Sequence, residues 1–177
     1  MKHPEFESER LLLQHITSED QPAIFKGLSY PEIIKYYGVH YDTLEETGIQ
    51  MQWYQNLEKS GSGKWWIIRR RSGSHFCGAI GFNDWNKEHE KAEIGLWLFP
   101  EFWGSGIMQE AAELVFPYLF DQLHIHRLEA FVEIENTNSA KLLKKLMFQQ
   151  EGIMRDAEKK NGRFISITIW SLLNAKN

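Results

Sequence analysis

The sequence predicts a mixed α+β fold in which a mostly antiparallel sheet of about seven strands is flanked by about four helices. Three observations lead to this fold class. Apolar alternation and helical spacing follow one another in the order strand, two helices, three strands, long helix, strand, helix and a final pair of strands. The dipeptide Asn161-Gly162, the strongest short hairpin signal in the chain, joins that last pair. A strand–helix–strand unit embedded among hairpins is typical of a mixed sheet.

Local signals justify the elements of the first half. The leucine-rich stretch from Glu9 to Ile16 predicts a strand. Thr17-Ser18-Glu19-Asp20 follows, where a capping hydroxyl and acidic side chains predict the start of a helix. Apolar spacing from Leu44 to Leu57 predicts a second helix, which ends before Gly61. Three strands are then predicted over Trp65–Ile68, Phe76–Phe82 and Ala92–Phe99.

The second half begins with the longest helical pattern, from Gly106 to Leu123. Pro117 lies inside this pattern and has no N–H for the carbonyl of Glu113, so we expect a kink there. The remaining predictions are a strand over Arg127–Glu133, a short helix over Asn138–Leu146 and the hairpin strands Gln149–Ala157 and Phe164–Ser171.

Composition narrows the classes of protein to which the chain can belong. Its 177 residues and 20.9 kDa fit a single domain over residues 1–177. The formal net charge of −4 argues against a protein that grips nucleic acid or an anionic membrane. Cys77 is the only cysteine, and His124 and His126 have no Cys, Asp or Glu at ligand spacing, so neither a disulfide nor a metal site is expected.

The N-terminal residues 1–7 lack the apolar core of a secretory signal, and no apolar run approaches the roughly 18 residues that span a bilayer. We therefore expect a cytoplasmic location.

The most informative segment runs from Ala92 to Ala111, where a predicted strand enters a turn with Gly104 and Gly106 and then a helix. Glycines let a backbone approach an anion, and the first N–H groups of a helix point at it, so this turn suits a phosphate. Two glycines before a helix also suit an ordinary tight turn. Gly63-Lys64-Trp65 is not a P-loop, and Gly104-x-Gly106-x-x-Gln109 lacks the third glycine of a dinucleotide fingerprint.

Together with later segments, this stretch resembles the GNAT superfamily of acetyl-CoA-dependent N-acetyltransferases, and within it the RimJ/RimL-like branch (ribosomal-protein-alanine acetyltransferase-like). The resemblance covers nearly the whole chain. The matching segments, in chain order, are Ala92-Glu93-Ile94-Gly95-x-Trp97-Leu98, Trp103-Gly104-x-Gly106-Ile107, Glu110-Ala111, His126-Arg127-Leu128-Glu129-Ala130, Glu135-Asn136-x-Asn138-Ser139-x-Lys141-Leu142-Leu143-x-Lys145-Leu146-x-Phe148, Glu151-Gly152, Ala157-Glu158 and Asn161-Gly162.

The resemblance implies acetyl-CoA as acetyl donor and no metal. It also implies a possible homodimer and assigns binding roles. The pyrophosphate would lie on backbone N–H groups of Trp103, Gly104, Ser105, Gly106, Ile107 and Met108. The pantetheine arm would follow Trp97, Leu98 and Phe99 and meet Asn136 and Asn138, with Lys145 near the phosphates. Tyr36, Tyr37 and Trp85 lie in segments that wall the acceptor site of similar proteins.

Departures from the family pattern affect the loop and the chemistry. Trp103 and Met108 stand at the first and last positions of the pyrophosphate loop, where Met108 would narrow the room beside the phosphates. Met147 stands where glycine is usual, and Leu143 replaces a tyrosine that serves as the acid in many relatives. Protonation of the leaving thiolate would then fall to Ser139, because RimL-like proteins carry a serine at the matching position. The same branch has a glutamate at the position of Glu158 that is thought to be the base, and Glu93 is the rival base.

The sequence thus predicts direct attack of a primary amine on acetyl-CoA through a tetrahedral intermediate, with a protein N-terminal α-amine as the leading acceptor. An α-amine with a pKa near 8 is largely protonated at pH 7, so a base is useful. Two alternatives stay open: an acetyltransferase for a small-molecule amine, and a catalytically silent acyl-CoA-binding module.

Overall fold

The computed structural model describes residues 3–175, so part of the N-terminal segment used to exclude a signal, Met1 and Lys2, lies outside it, as do Lys176 and Asn177. Within this range the chain forms eight strands and five α-helices. In chain order they are β1 (Phe6–Glu7), β2 (Leu11–His15), α1 (Gln21–Leu28), α2 (Pro31–Ile34), α3 (Gly48–Ser60), β3 (Lys64–Arg70), β4 (Phe76–Asn86), β5 (Lys91–Leu98), α4 (Ile107–Pro117), β6 (Arg127–Glu133), α5 (Thr137–Lys145), β7 (Gln149–Lys160) and β8 (Arg163–Leu173). No helix in this range is long and apolar enough to cross a membrane.

The strands form one mixed sheet in the order β1-β2-β3-β4-β5-β6-β8-β7. Neighbouring strands are antiparallel except β5 and β6, which are parallel because α4 connects them as a crossover helix. The hairpin of β7 and β8 turns at Asn161-Gly162, where both residues have positive φ (49° and 79°) as a tight hairpin turn requires. The predicted mixed, mostly antiparallel sheet is therefore confirmed.

The structure adds two short elements to the predicted order. β1 pairs two residues, Phe6 and Glu7, with Leu13 and Leu12 of β2, and this pairing is too short for a periodic signal. α2 is a single turn with Pro31 at its first position. α3 begins at Gly48, four residues later than predicted.

Pro117 changes the long helix in the way its chemistry requires. α4 ends at Pro117, and residues 118–122 continue as a π-helical turn closed by the Leu123 N–H on the Tyr118 carbonyl at 3.1 Å. A proline cannot donate to the carbonyl four residues earlier, so the ladder changes its spacing at that point.

Two hydrophobic clusters cover the two faces of the sheet. α4 and the α5 region pack on one face, where Val115, Leu119 and Leu128 are fully buried. α1 and α3 contribute to the cluster on the other face, which contains Ile24 and Trp97. Each fully buried side chain of this size contributes on the order of 1.5–3 kcal/mol, so both helix layers hold the central strands in place.

Candidate active site

The centre of the site is a gap between the parallel strands β5 and β6. Their pairing covers the first three residues of each strand and ends with Glu93 opposite Glu129. Beyond that point β5 follows β4 as far as Leu98, and β6 follows β8 as far as Glu133. Each strand keeps its antiparallel partner, so the two diverge. Backbone groups that a closed sheet would pair with each other are left facing the gap.

The loop after β5 presents backbone N–H groups at the start of α4. Gly104 and Gly106 have φ values of 70° and 78°, a region that glycine adopts without steric cost. Gly106 caps α4, and the first bond of the helix runs from the Glu110 N–H to the Gly106 carbonyl at 3.0 Å. The N–H groups of residues 107–109 therefore precede the ladder and are available to an anion at the positive end of the helix.

A side-chain clamp fixes this helix end against the turn between β1 and β2. Glu110, in the first turn of α4, accepts hydrogen bonds from Ser8 Oγ at 2.5 Å and Arg10 Nε at 2.6 Å, and it forms an ion pair with the Arg10 guanidinium. Burial raises the pKa of Glu110, but the hydrogen bonds from Ser8 and Arg10 outweigh this effect and leave it below its ordinary value. These contacts hold the start of α4 in place whether or not an anion is bound.

Trp103 and Met108, the two departures in the loop, have defined places. Trp103 Nε1 donates to the carbonyl of Leu98 at 2.8 Å, which leaves 45% of Trp103 exposed beside the gap. Met108 is 3% exposed and belongs to the core cluster beneath α4. Met108 also borders the cavity, so its narrowing of the room beside the phosphates stays a prediction.

α5 forms the opposite wall. Asn136 caps it, with Oδ1 accepting from the Ser139 N–H at 3.1 Å, so this oxygen is already engaged and only the Nδ2 group is left for a ligand. Ser139 is half-buried, and Leu143, four residues later on the same face, is buried.

These elements enclose a cavity of about 770 Å³. The residues predicted from the sequence that line it are Tyr36, Tyr37, Trp97, Leu98, Trp103, Gly104, Gly106, Ile107, Met108, Asn136, Asn138, Ser139 and Lys145. Those that do not line it are Trp85, Glu93, Phe99, Ser105 and Glu158.

Trp85, predicted for the acceptor site, does not line this cavity. A bulge in β4 between Asn83 and Asn86 brings the Trp85 N–H to the carbonyl of Ser62 at 2.9 Å. The Trp85 ring packs edge-on against Phe82, with the centres of the two rings 6.0 Å apart. Phe99 and Ser105 also turn away: Phe99 packs in the cluster with Trp97, and Ser105 Oγ donates to the Phe102 carbonyl at 2.5 Å.

Of the two candidate bases, Glu93 has a perturbed pKa, and the carboxylate of Glu158 is one of its causes. Glu93 is half-buried at the last paired position of β5. Its pKa is raised, first by burial and then by the carboxylates of Asp84, Glu129 and Glu158. The Tyr37 hydroxyl is also close enough for Glu93 to raise the pKa of that group, after the larger effect of burial. Glu93 is therefore within electrostatic range of both Glu158 and the cavity-lining Tyr37.

Sequence reasoning missed several lining residues. Lys141 and Gln109 border the cavity near Lys145, and Lys141 had a usable signal because it lies four residues before Lys145 on one helix face. Phe131, Glu133 and Glu135 border it at the end of β6, where no local pattern separates them from an ordinary exposed strand end. Among residues 3–175, no group of three or more metal-ligating side chains is present.

Comparison with known proteins identifies a family and its relatives. The acetyltransferase (GNAT) domain family matches residues 10–149. The uncharacterized N-acetyltransferase YoaA of Bacillus subtilis is 33% identical over 174 residues, which cover 98% of each chain.

Solved structures share the fold at lower identity. The RimL ribosomal L7/L12 alpha-N-protein acetyltransferase in complex with coenzyme A has a TM-score of 0.88 and 22% identity, covering 98% of this chain and 100% of that one. The spermidine N-acetyltransferase of Vibrio cholerae in complex with CoA and spermine has a TM-score of 0.83 and 20% identity, covering 96% and 98%.

If CoA binds at the glycine loop, as the sequence predicts, a substitution in this loop should affect CoA binding. Gly106→Val should abolish CoA binding in calorimetry while the thermal transition is kept, because a β-branched residue at φ 78° displaces the N–H groups that start α4. Gly152→Val is the matched control, since Gly152 lies in a strand and has open space where a β-carbon would stand. Unaltered CoA affinity in Gly106→Val would contradict the assignment.

Proposed function

The chain belongs to the GNAT family of acetyltransferases, and from this premise we propose that it transfers the acetyl group of acetyl-CoA to the α-amino group of a protein N-terminus. Several features of the chain support an acetyl-CoA site. Unpaired backbone groups line the gap between β5 and β6, and the N-terminus of α4 is free for an anion. Lys141 and Lys145 add positive charge at the same end of the cavity.

The glycine loop and the gap between β5 and β6 suggest one orientation for acetyl-CoA. Its pyrophosphate would accept hydrogen bonds from residues 103–108, and its pantetheine arm would lie along Trp97 and Leu98, near the Nδ2 group of Asn136 and the side chain of Asn138. This arrangement would bring the thioester toward Ser139 and toward Glu93, the last residue of β5 that pairs with β6. Ser139 would then donate a hydrogen bond to the departing thiolate, since Leu143 has no polar group.

An exposed apolar strip that begins at the cavity supports a polypeptide as the acceptor. Phe131 lines the cavity and is 43% exposed, and it stands opposite Ile169, which in turn stands opposite Gly152. Met154, two residues beyond Gly152 and 39% exposed, lies on the same face of the sheet. A small amine leaves such a strip in water, whereas the residues that follow a protein N-terminus would cover it.

The base in this proposal is Glu93, with Glu158 as the rival. A raised pKa brings a carboxylate closer to the pKa of the ammonium group from which it takes a proton, which favours the transfer. Burial and three neighbouring carboxylates supply that shift for Glu93. Tyr37 lines the cavity within electrostatic range of Glu93, and its hydroxyl or a water would carry the proton.

A second candidate acceptor is a polyamine. Glu32, Glu133 and Glu135 line the acceptor end of the cavity, and Glu93, Asp84 and Glu158 lie near it. An excess of carboxylates attracts a molecule with several ammonium groups. The solved spermidine N-acetyltransferase with the same fold gives this candidate a precedent.

A thiol-release assay with a panel of acceptors tests the proposed function. We expect acetyl-CoA turnover that depends on a short peptide with a free α-amine and exceeds the turnover with spermidine. Faster turnover with spermidine would favour the second candidate. CoA binding without turnover on any amine would indicate a silent binding module.

The two candidate bases are separated by pH–rate profiles of kcat/KM. If Glu93 is the base, Glu93→Gln should lose roughly 10²–10⁴-fold in rate together with the acidic limb of the profile. Glu158→Gln should keep most of the rate and move that limb to lower pH, because removing a like charge lowers the pKa of Glu93.

Exposed Glu88 provides the control, since Glu88→Gln should change neither rate nor limb. A loss of roughly 10²-fold or more in Glu158→Gln alone would transfer the role of base to Glu158. If neither substitution changes the rate by about tenfold, the proton leaves to solvent instead.

We also propose that the protein is cytoplasmic and forms a homodimer. β7 is an outer strand of the sheet with nearly every residue exposed, so it offers an edge for pairing with a second copy. Sedimentation at tens of micromolar should give a dimer, and a monomer would reject this part.

A further inference from the structure

Two walls of the cavity meet at its acceptor end. The acceptor wall consists of residues 31–37, which include α2 and the two tyrosines after it. The facing wall consists of residues 131–139, from the end of β6 to the first turn of α5. The inner side of the acceptor wall is anchored in the core through Ile33, which is 6% exposed.

Lys160 connects these two walls from the tip of the β7–β8 hairpin. Its Nζ donates to the carbonyl of Lys35 at 2.5 Å and forms a hydrogen-bonded ion pair with Glu133. The same ammonium lies 5.9 Å from the centre of the Tyr36 ring. Tyr36 adds a second link, because its hydroxyl donates to the carbonyl of Glu135 at 3.4 Å. We call this set of contacts the clasp.

The sheet is built so that Lys160 reaches the clasp. β7 carries a bulge between Met154 and Glu158. Met154 pairs with Ile167 and Glu158 pairs with Ile165, so β7 advances four residues while β8 advances two. Asp156 has a φ of 49° within the bulge, and its N–H donates to Ser166 Oγ at 3.1 Å. A bulge bends and twists its strand, and the tight turn at Asn161 then fixes the position of Lys160.

The clasp changes both the size and the charge of the acceptor end. Lys35, Tyr36, Glu133 and Glu135 all line the cavity, so bonds between them and Lys160 bridge its two walls. Among the described residues, Lys160 is the ion-pair partner of Glu133, whose side chain is only 14% exposed. Without Lys160, a nearly buried carboxylate would face the cavity unpaired, and it would attract a cationic acceptor.

We infer that Lys160 is a specificity-determining residue, which closes the acceptor end of the cavity and neutralises Glu133, and thereby disfavours polycationic acceptors such as polyamines. This inference rests on the proposed function. It explains how a cavity rimmed by carboxylates can serve a single terminal amine, since the carboxylate nearest the clasp is already paired.

The test compares the acceptor preference of Lys160→Ala with that of the unmodified enzyme. The measured quantity is the ratio of kcat/KM for spermidine to kcat/KM for a short peptide with a free α-amine. In Lys160→Ala we expect this ratio to rise about tenfold, while the KM for acetyl-CoA changes less than about twofold. Lys160→Arg should restore the ratio, because a guanidinium can make the same ion pair.

Lys159→Ala is the matched control. Lys159 precedes Lys160 on the same strand, but its ammonium lies over the ring of Phe164 at 5.9 Å, on the other face of the hairpin. This variant removes the same charge and should leave the ratio unchanged. An unchanged ratio in Lys160→Ala, or an equal rise in Lys159→Ala, would overturn the inference. If Lys160→Ala does not fold, Lys160→Met, which keeps the apolar stem, takes its place.

A binding measurement separates the failure of this inference from that of the proposed function. If the unmodified enzyme acetylates neither acceptor, the proposed function fails. Calorimetry with spermidine and the CoA-loaded protein then tests the clasp alone. Tighter spermidine binding in Lys160→Ala, by about the same tenfold, supports the clasp, and equal binding overturns it.

Discussion

The divergence of β5 from β6 is the constraint on which the site depends. Parallel pairing holds the strands together through Glu93 and Glu129, and each then follows its own antiparallel neighbour. The sheet remains intact because β4 and β8 pair the outer edges of the two strands. The gap therefore costs only the bonds between β5 and β6 themselves, and a ligand with amide groups of its own can replace them.

The gap, the glycine loop and the start of α4 form a continuous polar surface because one crossover connection builds them. β5 leads directly into the loop, Gly106 sets the direction of α4, and Glu110 ties the first turn to Arg10 and Ser8. A helix N-terminus that is already fixed loses little freedom when an anion binds. Trp103 belongs to the same surface, because its indole satisfies the carbonyl of Leu98 at the point where the strand ends.

Much of this arrangement could be predicted from the sequence, and the rest depended on contacts between distant segments. Gly104, Gly106, Pro117 and Asn161-Gly162 act through their own backbone chemistry, so their effects were visible locally. The clasp joins Lys160 to Lys35, which lies 125 residues away, and no local pattern marks either residue. Trp85 lies in a bulge of β4 and does not line the cavity, and register shifts of this kind leave no signal in composition or spacing.

Amide hydrogen exchange in the absence and presence of CoA tests the central claim, that the gap and the start of α4 together hold the donor. The account predicts that CoA slows exchange at residues 94–98 of β5 and at residues 104–109, while β3, already paired with β2 and β4, shows little change. Slowed exchange confined to other segments, such as the β7–β8 hairpin, with residues 94–98 and 104–109 unaffected, would contradict it.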